Sequence, residues 1–316
     1  MKVLVTGGAG FIGSNFVREA ANGQFPELSS IIVLDKLTYA ANLSHLSNLG
    51  SAVDFDFIEG DVCDPKIVNK LVSECDAIIN FAAESHVDRS IKDSSHFIKS
   101  NIIGVQVLLE AIKNGLERKR FLQVSTDEVY GSINSGSWDE SEILKPNSPY
   151  AATKASADLI AQAYAKTYMM DIVITRCSNN FGPRQHPEKL IPTLITNILN
   201  GRSLPIYGDG LNRRDWLYVS DHCRALYMAL MKGKSGEIYN IGGGTELSNL
   251  EVAKMILREM NASEELIEFV QDRPGHDFRY SVNFEKARVQ LGYTPECQFQ
   301  LKLLETIEWY KENEKN

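Results

Sequence analysis

Six short apolar runs alternate with longer amphipathic segments through the first 180 residues, and this rhythm constrains the fold more than any other feature. The runs are KVLVTG, SIIVLD, DFDFIEG, DAIINFAA, RFLQVST and DIVITRC. They are rich in β-branched residues and nearly continuous in apolar character, the pattern of parallel strands covered on both faces. Segments between them, such as HFIKSNIIGVQVLLEAIKNG and PYAATKASADLIAQAYAKTY, carry helical periodicity. Strand–helix alternation of this kind predicts an α/β fold, a Rossmann-type doubly wound parallel sheet. After about Cys177 the rhythm breaks into loops rich in Asn, Gly and Pro (SNNFGPRQHPEK) between shorter elements. Residues 1–178 are expected to form the sheet domain, and 179–316 a smaller α/β substrate lobe with some chain crossing back to the sheet.

A length of 316 residues allows a sizeable core. The net charge of -8 argues against a nucleic-acid surface, because phosphates attract basic patches. No run of 18 apolar residues predicts a membrane span, and MKVLVTGGAG does not read as a signal peptide. The five cysteines are scattered, with no CxxC, and the six histidines form no HExxH. A reducing, cytoplasmic location without a structural metal is the expectation.

VTGGAGFIG sets Gly7, Gly10 and Gly13 in GxxGxxG spacing directly after the first strand. Glycine permits a tight turn and close approach of backbone to phosphate, and the following helix offers free N–H groups and its positive dipole end. Asp35 ends the second strand 22 residues beyond Gly13. A carboxylate there accepts hydrogen bonds from a ribose diol and repels a 2′-phosphate, favouring NAD over NADP, although the adjacent Lys36 weakens the inference. Asp61 and Val62, after the third strand, are placed to flank an adenine, with an ordinary turn role for Asp61 as the alternative.

YAATK places Tyr150 and Lys154 on one face of a helix start. A free tyrosine is a poor base at neutral pH; lowering its pKa by about three units requires roughly 4 kcal/mol of favourable interaction with the phenolate. A neighbouring ammonium and a cationic nicotinamide would supply it in a partly desolvated site. Thr126, 24 residues earlier, brings a hydroxyl able to share the substrate's hydrogen bond.

Together the glycine motif, Thr126 at a strand end and YxxxK resemble the extended short-chain dehydrogenase/reductase family, most of whose members handle nucleotide sugars. NFAAESHVDRSI, VSTDEVYG, SPYAATKASAD, TRCSNNFGPRQHPEKLIP, PIYGDGLNRRDWLYVSDHCRA and DRPGHDFRYSVN cover nearly the whole chain and resemble its 4,6-dehydratases acting on dTDP-glucose. Ala41 stands where glycine is expected, and Phe181 where tyrosine is usual. The resemblance implies NAD and a three-stage reaction: oxidation at carbon 4 with Tyr150 as base, elimination of water across carbons 5 and 6, and return of hydride to carbon 6.

Elimination needs a base and an acid, which gives a purpose to the neighbouring carboxyls of Asp127 and Glu128. Glu128 fits the base and Asp127 the acid. Successive strand residues point to opposite faces, so both acids reach one sugar only if the backbone leaves strand geometry at Asp127. The acid needs a raised pKa, which burial and a neighbouring carboxylate both produce.

By the same resemblance, Phe11, Ile12, Lys36, Leu37, Thr38, Phe81, Ala82, Ala83, Ser85, Ser100 and Asn180 meet the cofactor. Ser85 also meets the sugar, Arg214 the diphosphate with Asn249 nearby, and Asn179, Lys189 and Leu190 the phosphate and base-side region. Pro205, Ile206 and Tyr207 would line the base pocket. DRPGHD adds Arg273 and His276 as candidate diphosphate partners. Seven alanines between 151 and 165 suit close helix approach, and relatives pair such helices across a two-fold axis, so a homodimer is expected. Two rivals stay open: a nucleotide-sugar 4-epimerase, which needs no acid pair, and a non-catalytic NAD sensor.

Overall fold

The computed structural model describes residues 1–313. β1 (Lys2–Thr6), β2 (Ser30–Asp35), β3 (Asp54–Glu59), β4 (Ala77–Asn80), β5 (Arg120–Thr126) and β6 (Ile172–Cys177) fall on the six apolar runs. Beyond them lie β7 (Asn179–Phe181), β8 (Leu204–Tyr207), β9 (Arg213–Tyr218), β10 (Ile238–Ile241), β11 (Glu246–Ser248) and β12 (Ile267–Val270). The large sheet has the order β10-β6-β5-β4-β1-β2-β3, every pairing parallel.

Alternate residues of the inner strands serve opposite faces. Val3, Val5, Ile31, Val33, Ile79 and Leu122 pack with helices Phe11–Ala21 and Val219–Lys232. Leu4, Ile32, Leu34, Ile78 and Phe121 pack with helices Pro65–Ser73, Gly104–Lys113 and Pro149–Tyr168. Two buried faces explain the continuous apolar runs, and each such side chain stabilises by about 1.5–3 kcal/mol. β3 departs from the expectation of cover on both faces. As the edge strand it alternates, with Phe55 and Phe57 packed inward while Asp54, Asp56 and Glu59 are exposed.

β10 and helix Val219–Lys232 are the chain that crosses back from the second half. The rest of that half forms two small sheets, β11-β9-β7 and β12-β8, over a separate core that includes Ile191, Leu194, Ile206, Val252 and Leu303. Phe181 is 1% exposed in this core, against Trp216, Tyr218 and Phe299, so its departure from tyrosine lies in packing. The expected helix after β4 is not uniform: Ile98–Ile103 forms a π-helical turn. Among the described residues no helix is long and apolar enough to cross a membrane.

β1 neighbours both β2 and β4, so the strand order reverses there. The crevice at the carboxyl ends of these strands is where doubly wound sheets bind ligands.

Candidate active site

A cavity of about 290 Å³ opens at that crevice. Its floor is the β1 turn. Gly7 takes a φ of +69°, and a Cβ there would lie 2.6 Å from the Ala82 nitrogen on the neighbouring segment. At Gly13 a Cβ would lie 2.4 Å from the Gly7 carbonyl oxygen, so the helix can pack on the turn only without one. Helix Phe11–Ala21 has no side-chain cap and no acid in its first turn, leaving its N–H groups free for an anion.

Asp35 ends β2 with each carboxylate oxygen accepting one backbone N–H, from Ala9 (2.9 Å) and Leu37 (2.8 Å). That fixes the carboxylate at the cavity wall with lone pairs to spare. Lys36 lines the cavity paired with Asp61 at 2.7 Å, so the positive charge that would welcome a 2′-phosphate is engaged. Asp61 also closes its own turn, accepting from the Cys63 N–H at 2.9 Å. Phe11, Ile12, Thr38, Val62, Phe81, Ala82, Ala83, Ser85, Ser100, Asn179 and Asn180 line the same cavity, as does Ala41. Glycine turn, uncapped helix and Asp35 together fit a dinucleotide.

β5 stops at Thr126, and Asp127–Tyr130 forms a 3₁₀ turn, the exit from strand geometry that two convergent acids require. Thr126 caps it, accepting from the Glu128 N–H at 3.3 Å, and Gly131 (φ +79°) releases the chain. Both acids line the cavity. Asp127 is 2% exposed, and its Oδ2 has no hydrogen-bond partner. Burial first, then the charges of Glu128 and Asp215, raise its carboxyl well above the usual range. Burial also raises Glu128, but Arg273, Lys189 and Arg214 oppose that. The two carboxyls are therefore unlike: Asp127 tends to hold its proton, and Glu128 sits among cations that favour its charge.

SPYAATK folds as its chemistry dictates, with Ser148 capping the Ala151 N–H at 3.1 Å and Pro149 in the first turn. Tyr150 and Lys154 are 8% and 5% exposed and line the cavity beside Thr126. In the protein alone, without the cationic nicotinamide that the expectation invokes, the tyrosine is not acidified. Burial, Glu128, Cys177 and Asp127 push the phenol well above its ordinary value. The Lys154 ammonium donates to the Val124 carbonyl oxygen at 2.7 Å. A buried phenol beside two carboxyls outweighs one lysine a turn away, so a bound cation has to supply the remaining stabilisation.

Of the candidate nucleotide residues, Asn179 and Lys189 line this cavity, while Arg214, Tyr207, Arg273 and His276 do not. Arg214 is 4% exposed, held by the carbonyls of Arg213 (2.7 Å) and Asp277 (2.9 Å) and lying over the Tyr280 ring. Carbonyls do not neutralise its charge. Tyr207, Arg273 and His276 gather at helix Val87–Lys92: Tyr207 donates to Asp88 at 3.2 Å, Arg273 pairs with it at 3.6 Å, and Tyr207 meets the His276 ring edge-on. Ile206 is corrected. It alternates with Pro205 and Tyr207, and its side chain is buried in the lobe's core rather than on the surface of a base pocket. Leu190 packs against the same core, and Asn249 opens helix Asn249–Glu259.

The residue pattern missed several groups. Asn101, placed by the π-helical turn, bonds Glu84 at both backbone N–H (2.8 Å) and carbonyl (3.0 Å), and Thr153 at 2.9 Å. It ties the Ser85 segment to the Tyr150 helix; an asparagine inside an apolar helical run is the signal that marks it. Glu188 lines the cavity and joins Tyr39 (3.2 Å), Arg89 (3.4 Å) and His86 (3.5 Å). His222, pushed down to about 3 by burial, meets the Asn180 Oδ1 at 2.9 Å.

The family model described as GDP-mannose 4,6 dehydratase matches residues 4–306. The chain belongs to the GDP-mannose 4,6 dehydratase family. Among members of this dehydratase family, the dTDP-glucose 4,6-dehydratase of Streptomyces niveus is 51% identical over 315 residues, 99% of this chain and 94% of that protein. A dTDP-glucose 4,6-dehydratase from Streptomyces venezuelae, solved with NAD and TYD bound, is 50% identical with a TM-score of 0.97, covering 100% of this chain and 98% of its own. A UDP-glucuronic acid 4-epimerase from Bacillus cereus is 31% identical with a TM-score of 0.91 over 99% of both chains. The fold is thus shared between dehydratases and epimerases, and the acid pair has to separate them.

Proposed function

We propose that this chain is an NAD-dependent dTDP-glucose 4,6-dehydratase, a hydro-lyase yielding dTDP-4-keto-6-deoxyglucose and water. The observation that carries the reading is the turn at Asp127 and Glu128: a buried and a half-buried carboxyl, electrostatically unlike, lining the cavity that holds Tyr150. An epimerase has no elimination for them to catalyse. The relatives at about half identity over their full length, and the neighbour crystallised with NAD, support the same reading.

NAD would lie on Gly7, Gly10 and Gly13 with its ribose on Asp35, and when bound it supplies a hydride acceptor for carbon 4 and a hydride donor for carbon 6. Thr126 and Tyr150 hold the carbon 4 hydroxyl, and Tyr150 takes its proton. The ketone so formed loosens the carbon 5 proton, which Glu128 removes. Asp127 gives its proton to the carbon 6 hydroxyl, which leaves as water. Lys189, Arg214 and Arg273 hold the diphosphate, and their charges oppose the burial that raises Glu128. Ser85 contacts the sugar, Asn179 the phosphate and base-side region, His276 the diphosphate, and Pro205 and Tyr207 the base. In this reading 1–178 serves the cofactor and 179–316 the nucleotide sugar.

A homodimer through helices Gly104–Lys113 and Pro149–Tyr168 suits the exposed Ile103 (44%) and Leu159 (57%) on or beside them. A cytoplasmic location accords with five free cysteines.

Turnover of dTDP-, UDP-, CDP- and GDP-glucose tests the proposal. The expected result is the highest kcat/KM for dTDP-glucose, a product lighter by one water, and no net NADH. An isomer of unchanged mass would instead mark an epimerase. A second expectation concerns the cradle. Gly13→Ala forces backbone movement at a 2.4 Å contact, with a strain of about 1–3 kcal/mol. NAD affinity, read by fluorescence titration of the folded variant, falls roughly tenfold or more; unchanged affinity would remove Gly13 from the cradle.

A further inference from the structure

Behind the site, Lys154 adjoins a buried polar chain whose other members the reaction above does not use. Lys154 and Asp158 stand one turn apart on the same face of helix Pro149–Tyr168. Asp158 and Arg176 are 0% and 1% exposed, paired through Oδ2 and Nε at 2.9 Å. Arg176 donates onward to the Tyr130 hydroxyl at 2.8 Å, which donates to Asn240 at 2.8 Å. The second carboxylate oxygen of Asp158 has no hydrogen-bond partner. One carboxylate thus pairs with one buried cation and lies a helix turn from a second.

We propose that Asp158 is a positioning residue for the reaction, the counter-charge that keeps Lys154 ammonium-bearing and in register with Tyr150. The proposal rests on the dehydratase reading for what Lys154 does, but not for what Asp158 does to Lys154. A buried ammonium is expensive without an opposing charge. Burial presses Lys154 down, and Asp158 then Cys177 oppose it. The other groups facing this pair are known. From β5 come the Val124 carbonyl and the Ser125 hydroxyl, and from β6 Arg176 and Cys177. The Cys177 thiol is pushed up to about 12 by burial, so it is neutral in the working range. Burial raises the Asp158 carboxyl too, and Arg176 first, then Lys154 and Ser125, oppose that; Asp158 is the acidic side chain facing Lys154 from its own helix. Arg176 fixes one of its oxygens, and the helix turn sets the distance to Lys154. The phenol of Tyr150, raised by burial first and then by Glu128, Cys177 and Asp127, needs an opposing cation to ionise.

The test compares the parent with Asp158→Asn and with the pair Asp158→Asn and Arg176→Met, each checked for folding by circular dichroism. Isotope-labelled lysine reports the Lys154 titration by NMR, the signal being assigned by its loss in Lys154→Met. In Asp158→Asn, Lys154 should titrate at least about one pH unit lower. The alkaline limb of the kcat profile should move down with it, KM staying constant, and kcat near neutral pH should fall roughly tenfold or more. If Lys154 titrates as in the parent, the proposal is overturned. The double variant carries the test should the single one fail to fold, since removing a buried pair together is far milder than orphaning one charge. Recovery of the parent profile in the double variant would show that Asp158 serves only Arg176 and would also overturn the proposal. Absence of turnover in the parent would defeat the enzyme reading, while the Lys154 titration would still decide this one.

Discussion

Tyr150→Phe should lower kcat by roughly 10²–10⁴-fold, the range for loss of a positioned acid–base group, and should do so before any cofactor is reduced. Phenylalanine retains the ring contact with Phe97, at 6.4 Å between centroids, so the variant should fold as the parent does. Only the hydroxyl beside Thr126 is lost. Mixing the variant with NAD and dTDP-glucose in a single turnover should give no rise in reduced-cofactor absorbance. The phenol's own environment sharpens the expectation. Burial, Glu128 and Asp127 all oppose its ionisation in the protein alone, so ionisation must follow cofactor binding. Ultraviolet titration of the parent should show one tyrosine whose pKa drops when NAD is added, and Tyr150→Phe should lack it. Dehydration by the variant at the parent's rate would remove Tyr150 from the mechanism.

The sheet was legible because its physics is local and repetitive. Strands β1, β2, β4, β5 and β6 bury both faces, so their runs are apolar throughout and the helices between them follow by period. β10 escaped because IYNI is a four-residue run reached only after a long excursion through the second lobe. The break of the backbone at Asp127 was legible from chemistry, since two adjacent acids cannot share a target on a strand. What was not legible depended on long-range burial. Nothing local shows that Tyr150 is pressed upward, or that Ile206 turns into a core while Tyr207 turns out to Asp88. The π-helical turn at Ile98–Ile103 reads as ordinary helix, yet it delivers Asn101 to Glu84 and Thr153. Arg214 was recognisable as a candidate only by resemblance; its burial against carbonyls is a property of the assembled lobe.

Asp127→Asn should fail at a later point than Tyr150→Phe. The amide keeps the shape of the carboxyl but has no proton to give the leaving hydroxyl, so oxidation at carbon 4 proceeds and elimination stalls. Reduced cofactor should accumulate to about one equivalent per site, with kcat reduced by roughly 10²–10⁴-fold. The same substitution should help the fold. Asp127 is 2% exposed beside Glu128 and Asp215, and its carboxyl is raised well above the ordinary range. A carboxyl raised on folding binds its proton more tightly in the native state. Its contribution is complete below the unfolded pKa of about 4 and is lost as pH rises toward the folded value. Asparagine carries no such penalty. The Tm of Asp127→Asn, measured against the parent from acid to neutral pH, should therefore gain steadily as pH rises. A gap that stayed flat would mean Asp127 is not held protonated by its surroundings. Without that held proton the acid of the elimination is missing, whatever the variant does to turnover.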